Sequence, residues 1–245
     1  MRKYLALVWL LLPLPVVVLH FGRGQQWLAR DKAHSFITRA EAAEKAEDWT
    51  KADELYRDAD QIVGAQDANL KLRLDLARAR TRFRTGEAVA ALDGVDKILD
   101  DTGMAAMPAE FRREAHELAA RLHYYAGWVM RLEGAKRELW MEEAELARQN
   151  FRLLSEQYSG GASTEKQLQQ KEDLESAVQL QRLSLSELMA RPLPKEGRSA
   201  SGQGLSEQMG KRRGQRGNKP GRGPGEDGPP SPGSGTQRFQ PGSGS

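Results

Sequence analysis

The chain has 245 residues, 39% apolar and 29% charged, with no cysteine and a formal net charge of +3. Without cysteine it has no disulfide, thiolate metal site, cysteine nucleophile or lipoprotein-type lipidation site. The charge is unevenly spread: Gly22–Arg191 carries 26 basic and 30 acidic residues, and the segment after Arg191 carries 9 and 4. The basic pI therefore belongs to the ends and gives no reason to expect nucleic acid on the folded part.

Met1-Arg2-Lys3 is a short basic start. Tyr4–Phe21, YLALVWLLLPLPVVVLHF, then runs without Asp, Glu, Lys or Arg. A stretch of about 18 apolar residues is just enough to span a bilayer. A cleavable signal peptide has a shorter apolar run and a small-x-small site after it. Here Gly22-Arg23-Gly24-Gln25-Gln26-Trp27 follows, so an uncleaved anchor over residues 1–21 is favoured over a signal peptide. Pro13 and Pro15 loosen a helix, although membrane helices tolerate them. Arg2 and Lys3 place the N-terminus inside, against a weaker pull from Arg23, Arg30 and Lys32. The expectation is one pass through the cytoplasmic (inner) membrane, with the following body outside, periplasmic. Trp27 suits the membrane interface or the start of the first soluble helix.

Residues 22–191 are rich in Ala, Leu, Glu, Arg, Lys and Gln, good helix formers. Breaks fall at Glu47-Asp48, Gly64–Asp67, Thr85-Gly86, Asp101–Gly103, Glu133-Gly134 and Ser159–Gly161. No stretch alternates with period two, so the expected class is all-α. In the first unit Phe36, Ala40 and Ala43 share one helical face. Trp49, Ala52, Tyr56 and Ala59 share another after the Glu47-Asp48 turn. Small residues let two helices approach, and the aromatic residues fill the space beside them.

This alternation resembles a tetratricopeptide repeat (TPR). Ala40, Trp49, Ala52, Tyr56 and Ala59 match the family's pattern, Ala43 replaces an aromatic, and Glu47 replaces the turn glycine. A second copy runs over about Leu72–Leu99, with Ala79, Gly86, Ala91, Val95 and Ile98 in the matching places and Arg82 where an aromatic is expected. A third has Gly127 and Gly134, with Tyr125 and Trp128 nearby, then a long second helix ending in Ala147, Phe151 and Leu154. The turns are 39 residues apart (Glu47 to Gly86) and 48 apart (Gly86 to Gly134), against about 34 in a regular array. The resemblance covers about half the chain and implies stacked helical hairpins, since one such unit cannot bury its apolar stripe alone.

A seventh helix is expected from Thr164, where Thr164-x-x-Gln167 matches a capping box, to the Arg191-Pro192 stop. Leu168, Leu174, Val178, Leu185 and Leu188 form its apolar stripe. A cover for the last repeat is favoured over a coiled coil with another chain, because Gln181 interrupts the stripe. The tail, residues 192–245, holds 14 of the 24 Gly and 8 of the 11 Pro. It is expected to be disordered, with too few apolar residues to offset ordering entropy. Its basic core, Gly210–Gly223, suits a polyanion, but Phe239 is the tail's only aromatic, which disfavours nucleic acid.

No catalytic set emerges. His116-Glu117 begins like the zinc motif H-E-x-x-H, but Ala120 stands at the second histidine, and His123 is two turns from His116. Glu142, Glu143 and Glu145 lack a paired histidine and read as a solvated face. Gly22-Arg23-Gly24 and Gly210-Lys211 are fragments of phosphate loops without the rest. One cluster stands out: Arg73, Arg80 and Arg84 share a face at i+7 and i+4 spacing. In TPR proteins the first helix of each repeat lines the concave groove. By that resemblance these arginines grip acidic groups or a C-terminal carboxylate. A solvated or internally paired basic face is the competing interpretation.

The expectation is a non-enzymatic, membrane-anchored TPR-type scaffold for protein binding, with no cofactor or metal. Its layout is similar to that of the TPR proteins of bacterial Bat (aerotolerance) operons, which implies a membrane-associated partner such as a von Willebrand factor A domain protein. The alternative is a polyanion-binding protein acting through its Arg/Gly tail on anionic lipid, cell-wall polymer or nucleic acid.

Overall fold

A computed structural model describes residues 23–64, 67–158, 164–191 and 204–217. The expected membrane segment Tyr4–Phe21 and most of the tail lie outside the described residues. Among the described residues there is no strand, and no helix is long and apolar enough to cross a membrane. The helices are α1 (Arg23–Lys45), α2 (Trp49–Val63), α3 (Ala68–Thr85), α4 (Ala88–Leu99), α5 (Ala109–Leu132), α6 (Arg137–Tyr158), α7 (Thr164–Arg182), α8 (Leu185–Met189) and α9 (Leu205–Gly217). A 3-10 turn, Thr102–Ala106, precedes α5.

The first six helices form three hairpins, α1/α2, α3/α4 and α5/α6, each packed against the next. Their turns share one closure. Glu47, Gly86 and Gly134 have positive φ of 59°, 96° and 71°. In each turn the following N–H donates to a carbonyl five residues back: Asp48 to Ala43 at 2.9 Å, Glu87 to Arg82 at 2.8 Å, and Ala135 to Met130 at 2.9 Å. This is the Schellman arrangement, which satisfies carbonyls left over at a helix end. Asp48 then caps α2 by accepting from the Lys51 N–H at 3.1 Å, and Asp67 caps α3 by accepting from Leu70 at 3.0 Å.

Small residues set the helix spacing. Ala33, Ala40, Ala52 and Ala59 are fully buried around Leu55, Tyr56 and Val63, and Leu74 of α3 joins them. Phe36 packs against this cluster, so five of the six residues read as repeat packing, Phe36, Ala40, Ala52, Tyr56 and Ala59, meet in one core; Trp49 is half-buried outside it, beneath Arg84. A larger core runs from α3 through α6, including Phe83, Leu92, Val95, Leu122, Tyr125 and Met130. At Gly127 the backbone of α6 comes so near that a Cβ would lie 3.2 Å from the Ala144 nitrogen and 3.3 Å from the Trp140 carbonyl oxygen.

α7 covers the last hairpin with Gln170, Ala177 and Leu180. The expected stripe holds only in part: Leu188 is buried, Leu174 and Val178 are half-buried, and Leu168 and Leu185 are exposed. The helix stops at Arg182, and α8 restarts behind a Ser184–Glu187 capping box, so residues beyond Leu183 no longer share the phase of α7. Arg131 of α5 stacks on Trp140 at 4.6 Å and donates to the carbonyls of Leu180 and Leu183, which end α7.

The tail contains an element that composition did not predict. Leu205–Gly217 forms α9 and lies against α4, α5 and α6. Its apolar contribution is small, yet Leu205 and Met209 enter the main core. The segment gains order from a surface supplied by the body, which an average over residues 192–245 cannot reveal.

Candidate partner-binding groove

The cations of α3 divide between two faces. Lys71 and Arg78 pair with Asp60 of α2 at 3.0 and 3.2 Å, and Arg78 and Arg82 approach Asp53 at 3.6 and 3.7 Å. These contacts tie α3 to α2. Arg73, Arg80 and Arg84 instead line a groove formed mainly by the first helices of the three hairpins. One part of it, about 330 Å³, has His34, Ile37, Glu41, Tyr56, Arg73 and Phe111 among its walls. The other, about 230 Å³, has Phe83, Arg84, Glu117, Leu118 and Arg121. Leu76, Arg80 and Glu114 border both.

The three arginines have different surroundings. Arg80 donates to both Glu44 oxygens at 3.1 Å and to Glu114 at 2.7 Å, joining α1, α3 and α5. Burial opposes its charge, but Glu44 and Glu114 more than compensate and hold its pKa above the usual value. Beside it, burial and the Glu44 charge push the Tyr56 phenol well above its ordinary range. Arg80 is thus a bolt between hairpins, as the internally paired interpretation holds. Arg73 is exposed with its guanidinium 5.9 Å from the Phe111 ring centre, and Arg84 sits 5.3 Å from that of Trp49. Neither forms an ion pair among the described residues. The groove is apolar along its floor and mixed in charge along its walls, with Arg121 held by Glu117.

A second polar centre lies within the helical stack. His123 is 2% exposed, with Nδ1 2.6 Å from Glu143 and Nε2 3.2 Å from Asp96. Burial disfavours the imidazolium, but hydrogen bonds to Asp96 and Glu143 and their charges outweigh it, raising its pKa to about 9. Arg212 of α9 reaches both carboxylates and a third: Nη2 donates to Asp96, Nη1 lies 4.0 Å from Glu143, and Nε donates to Asp93 at 2.5 Å. Sequence reasoning missed this centre and read Glu143 as solvated. The available signal was Leu205, Met209 and Arg212 at i, i+4 and i+7, one face of a helix. His116 donates instead to Asn150 at 2.7 Å, so the two histidines serve separate contacts. Among the described residues no group of three or more His, Asp or Glu is arranged to hold a metal ion.

No protein-family model matches the chain, and no curated protein or solved structure matches it.

Proposed function

We propose that the protein is a membrane-anchored, non-enzymatic adaptor of TPR type that holds a partner segment in the groove of α1, α3 and α5. The observation that carries this reading is the pairing of an apolar floor with Arg73 and Arg84, two cations that line the groove and lie over aromatic rings. Such cations hold a carboxylate by charge-assisted hydrogen bonds, and the floor takes apolar side chains on either side of it. The repeated turn at Glu47, Gly86 and Gly134 supports the kinship with TPR units. Tyr4–Phe21 would tether the body on the outer side of the cytoplasmic membrane, beside a membrane-associated protein partner. By the likeness in layout to Bat-operon TPR proteins, a von Willebrand factor A domain protein is the first candidate. Polyanion binding through the tail is less favoured, because Arg212, within its basic core, is bound by carboxylates of the body.

A photo-crosslinking residue at His34, in intact membranes, tests the reading. A specific captured chain is expected, lost when Arg73→Glu and Arg84→Glu are combined and retained when a surface change such as Arg152→Glu is made. Capture unaffected by the Arg73/Arg84 pair would remove the groove as the binding face.

A further inference from the structure

The geometry points to a second docking site, on the face formed by α4, α5 and α6, for a basic amphipathic helix of a partner, with α9 as its competitor in cis. α9 shows what the site accepts. Leu205 and Met209, four residues apart, are 4% and 5% exposed and fill the apolar part. Arg212, three residues further, is 7% exposed and enters the acidic part made by Asp93 and Asp96 of α4 and Glu143 of α6. Glu133, at the end of α5, accepts from the N–H groups of Leu205 and Ser206 at 3.1 and 2.7 Å. An anion there suits the positive end of a helix dipole. The site therefore reads start, apolar face and cation of an incoming helix in order.

Two features make α9 a replaceable occupant. Its own helical tendency is low, because Gly210 and Gly214 sit inside it. Its apolar anchorage on the core is two side chains, so it belongs with the segments that open most easily. Its polar contacts, to Asp93, Asp96, Glu143 and Glu133, are ones that another helix of the same pattern can make, and its advantage over such a helix is that it belongs to the same chain. The receptor, by contrast, keeps its need for a cation. Asp96 and Glu143 are 13% and 10% exposed, and losing Arg212 removes a cation that lies against both of them. A partner helix with Leu or Met four residues apart and Arg three further on satisfies the same demands, and docking it requires α9 to leave.

The test uses the full chain and a labelled synthetic peptide of residues 204–218 as the probe. Wild-type protein is expected to bind it weakly, because the site is filled in cis. Combining Leu205→Ala and Arg212→Ala in the chain should tighten binding tenfold or more. Gly210→Ala should weaken it several-fold below wild type, since a Cβ at Gly210 meets nothing within 4 Å and only strengthens α9. A peptide carrying the Arg212→Ala change should lose at least tenfold on the vacated chain. Hydrogen exchange on the wild type, with unlabelled peptide in excess, needs no variant: α9 amides should speed up while α4–α6 stay protected. Equal binding by wild-type and vacated chains, indifference to the peptide's arginine, or α9 amides unmoved by excess peptide would each overturn the proposal.

Discussion

Glu47 and Gly86 occupy the same backbone position in consecutive hairpins. Both have left-handed φ, and both are followed by an N–H that closes onto a carbonyl five residues earlier. Glycine takes this conformation without penalty, while a residue with a Cβ is strained by about 1 kcal/mol or more. Glu47 is exposed, so replacing it removes strain and little else. Glu47→Gly is expected to raise stability by about 0.5–1 kcal/mol in urea unfolding. Gly86→Ala should lower it by about 1 kcal/mol.

Gly94 and Gly127 make a second contrast. Both sit inside helices, where alanine is favoured by about 1 kcal/mol. A Cβ at Gly94 would meet the Ala79 Cβ at 3.4 Å, an ordinary contact, so Gly94→Ala should be neutral or stabilising. At Gly127 the added atom would press on the α6 backbone, which cannot move aside alone. Gly127→Ala should cost about 1–3 kcal/mol net, as overpacking does. Thermal unfolding of the two variants side by side decides the matter.

Arg80 separates support from recognition. Removing its guanidinium leaves Glu44, 17% exposed, without its counter-charge. Arg80→Ala should destabilise by about 1–2 kcal/mol, the value for a buried pair reduced for its partial exposure. Arg73→Ala and Arg84→Ala should each change stability by less than about 1 kcal/mol, since cation–aromatic contacts that are exposed, as at Arg73, or half-buried, as at Arg84, contribute little. A loss of stability at Arg73 equal to that at Arg80 would mean that the groove arginines are all structural.

His123 predicts a pH dependence. Its folded-state pKa of about 9 lies above an unfolded value of about 6.5. The folded protein therefore holds the proton more tightly. The stabilisation is fully present below about pH 6.5 and is lost as pH rises towards 9. Asp96 of α4, Glu143 of α6 and Arg212 of α9 surround this titration. Unfolding free energy, measured from pH 6 to 9.5, should fall by an amount on the order of 2–3 kcal/mol more in the wild type than in His123→Gln. Parallel curves for the two proteins would mean that His123 does not carry the proton.

The helical class was legible because helix-forming residues and turn residues alternate along the body. The expected breaks at Glu47-Asp48, Thr85-Gly86, Asp101–Gly103 and Glu133-Gly134 coincide with a helix end or fall between two α-helices, the break at Ser159–Gly161 lies outside the described residues, and Ala40, Ala52, Ala59, Ala79 and Ala91 are buried as the small positions of close-packed pairs. The shared face of Arg73, Arg80 and Arg84 followed from helix geometry alone. Their differing roles did not, because Glu44 and Glu114 lie 36 and 34 residues from Arg80 and only packing brings them together. α9 was obscured for another reason. Three useful residues in a Gly- and Pro-rich tail vanish in an average, and their order depends on Asp93, Asp96 and Glu133 more than on their own neighbours.

The contact of Arg131 with the end of α7 fixes a length. Its guanidinium lies on Trp140 and is aimed at the carbonyls of Leu180 and Leu183. One residue inserted within α7 ahead of Leu180 would turn those carbonyls by about 100° around the helix axis and shift them by about 1.5 Å. The same residue inserted between Tyr158 and Thr164 would leave the register intact. The terminal helix therefore has to keep its count, because its end is gripped by one cation of the preceding hairpin.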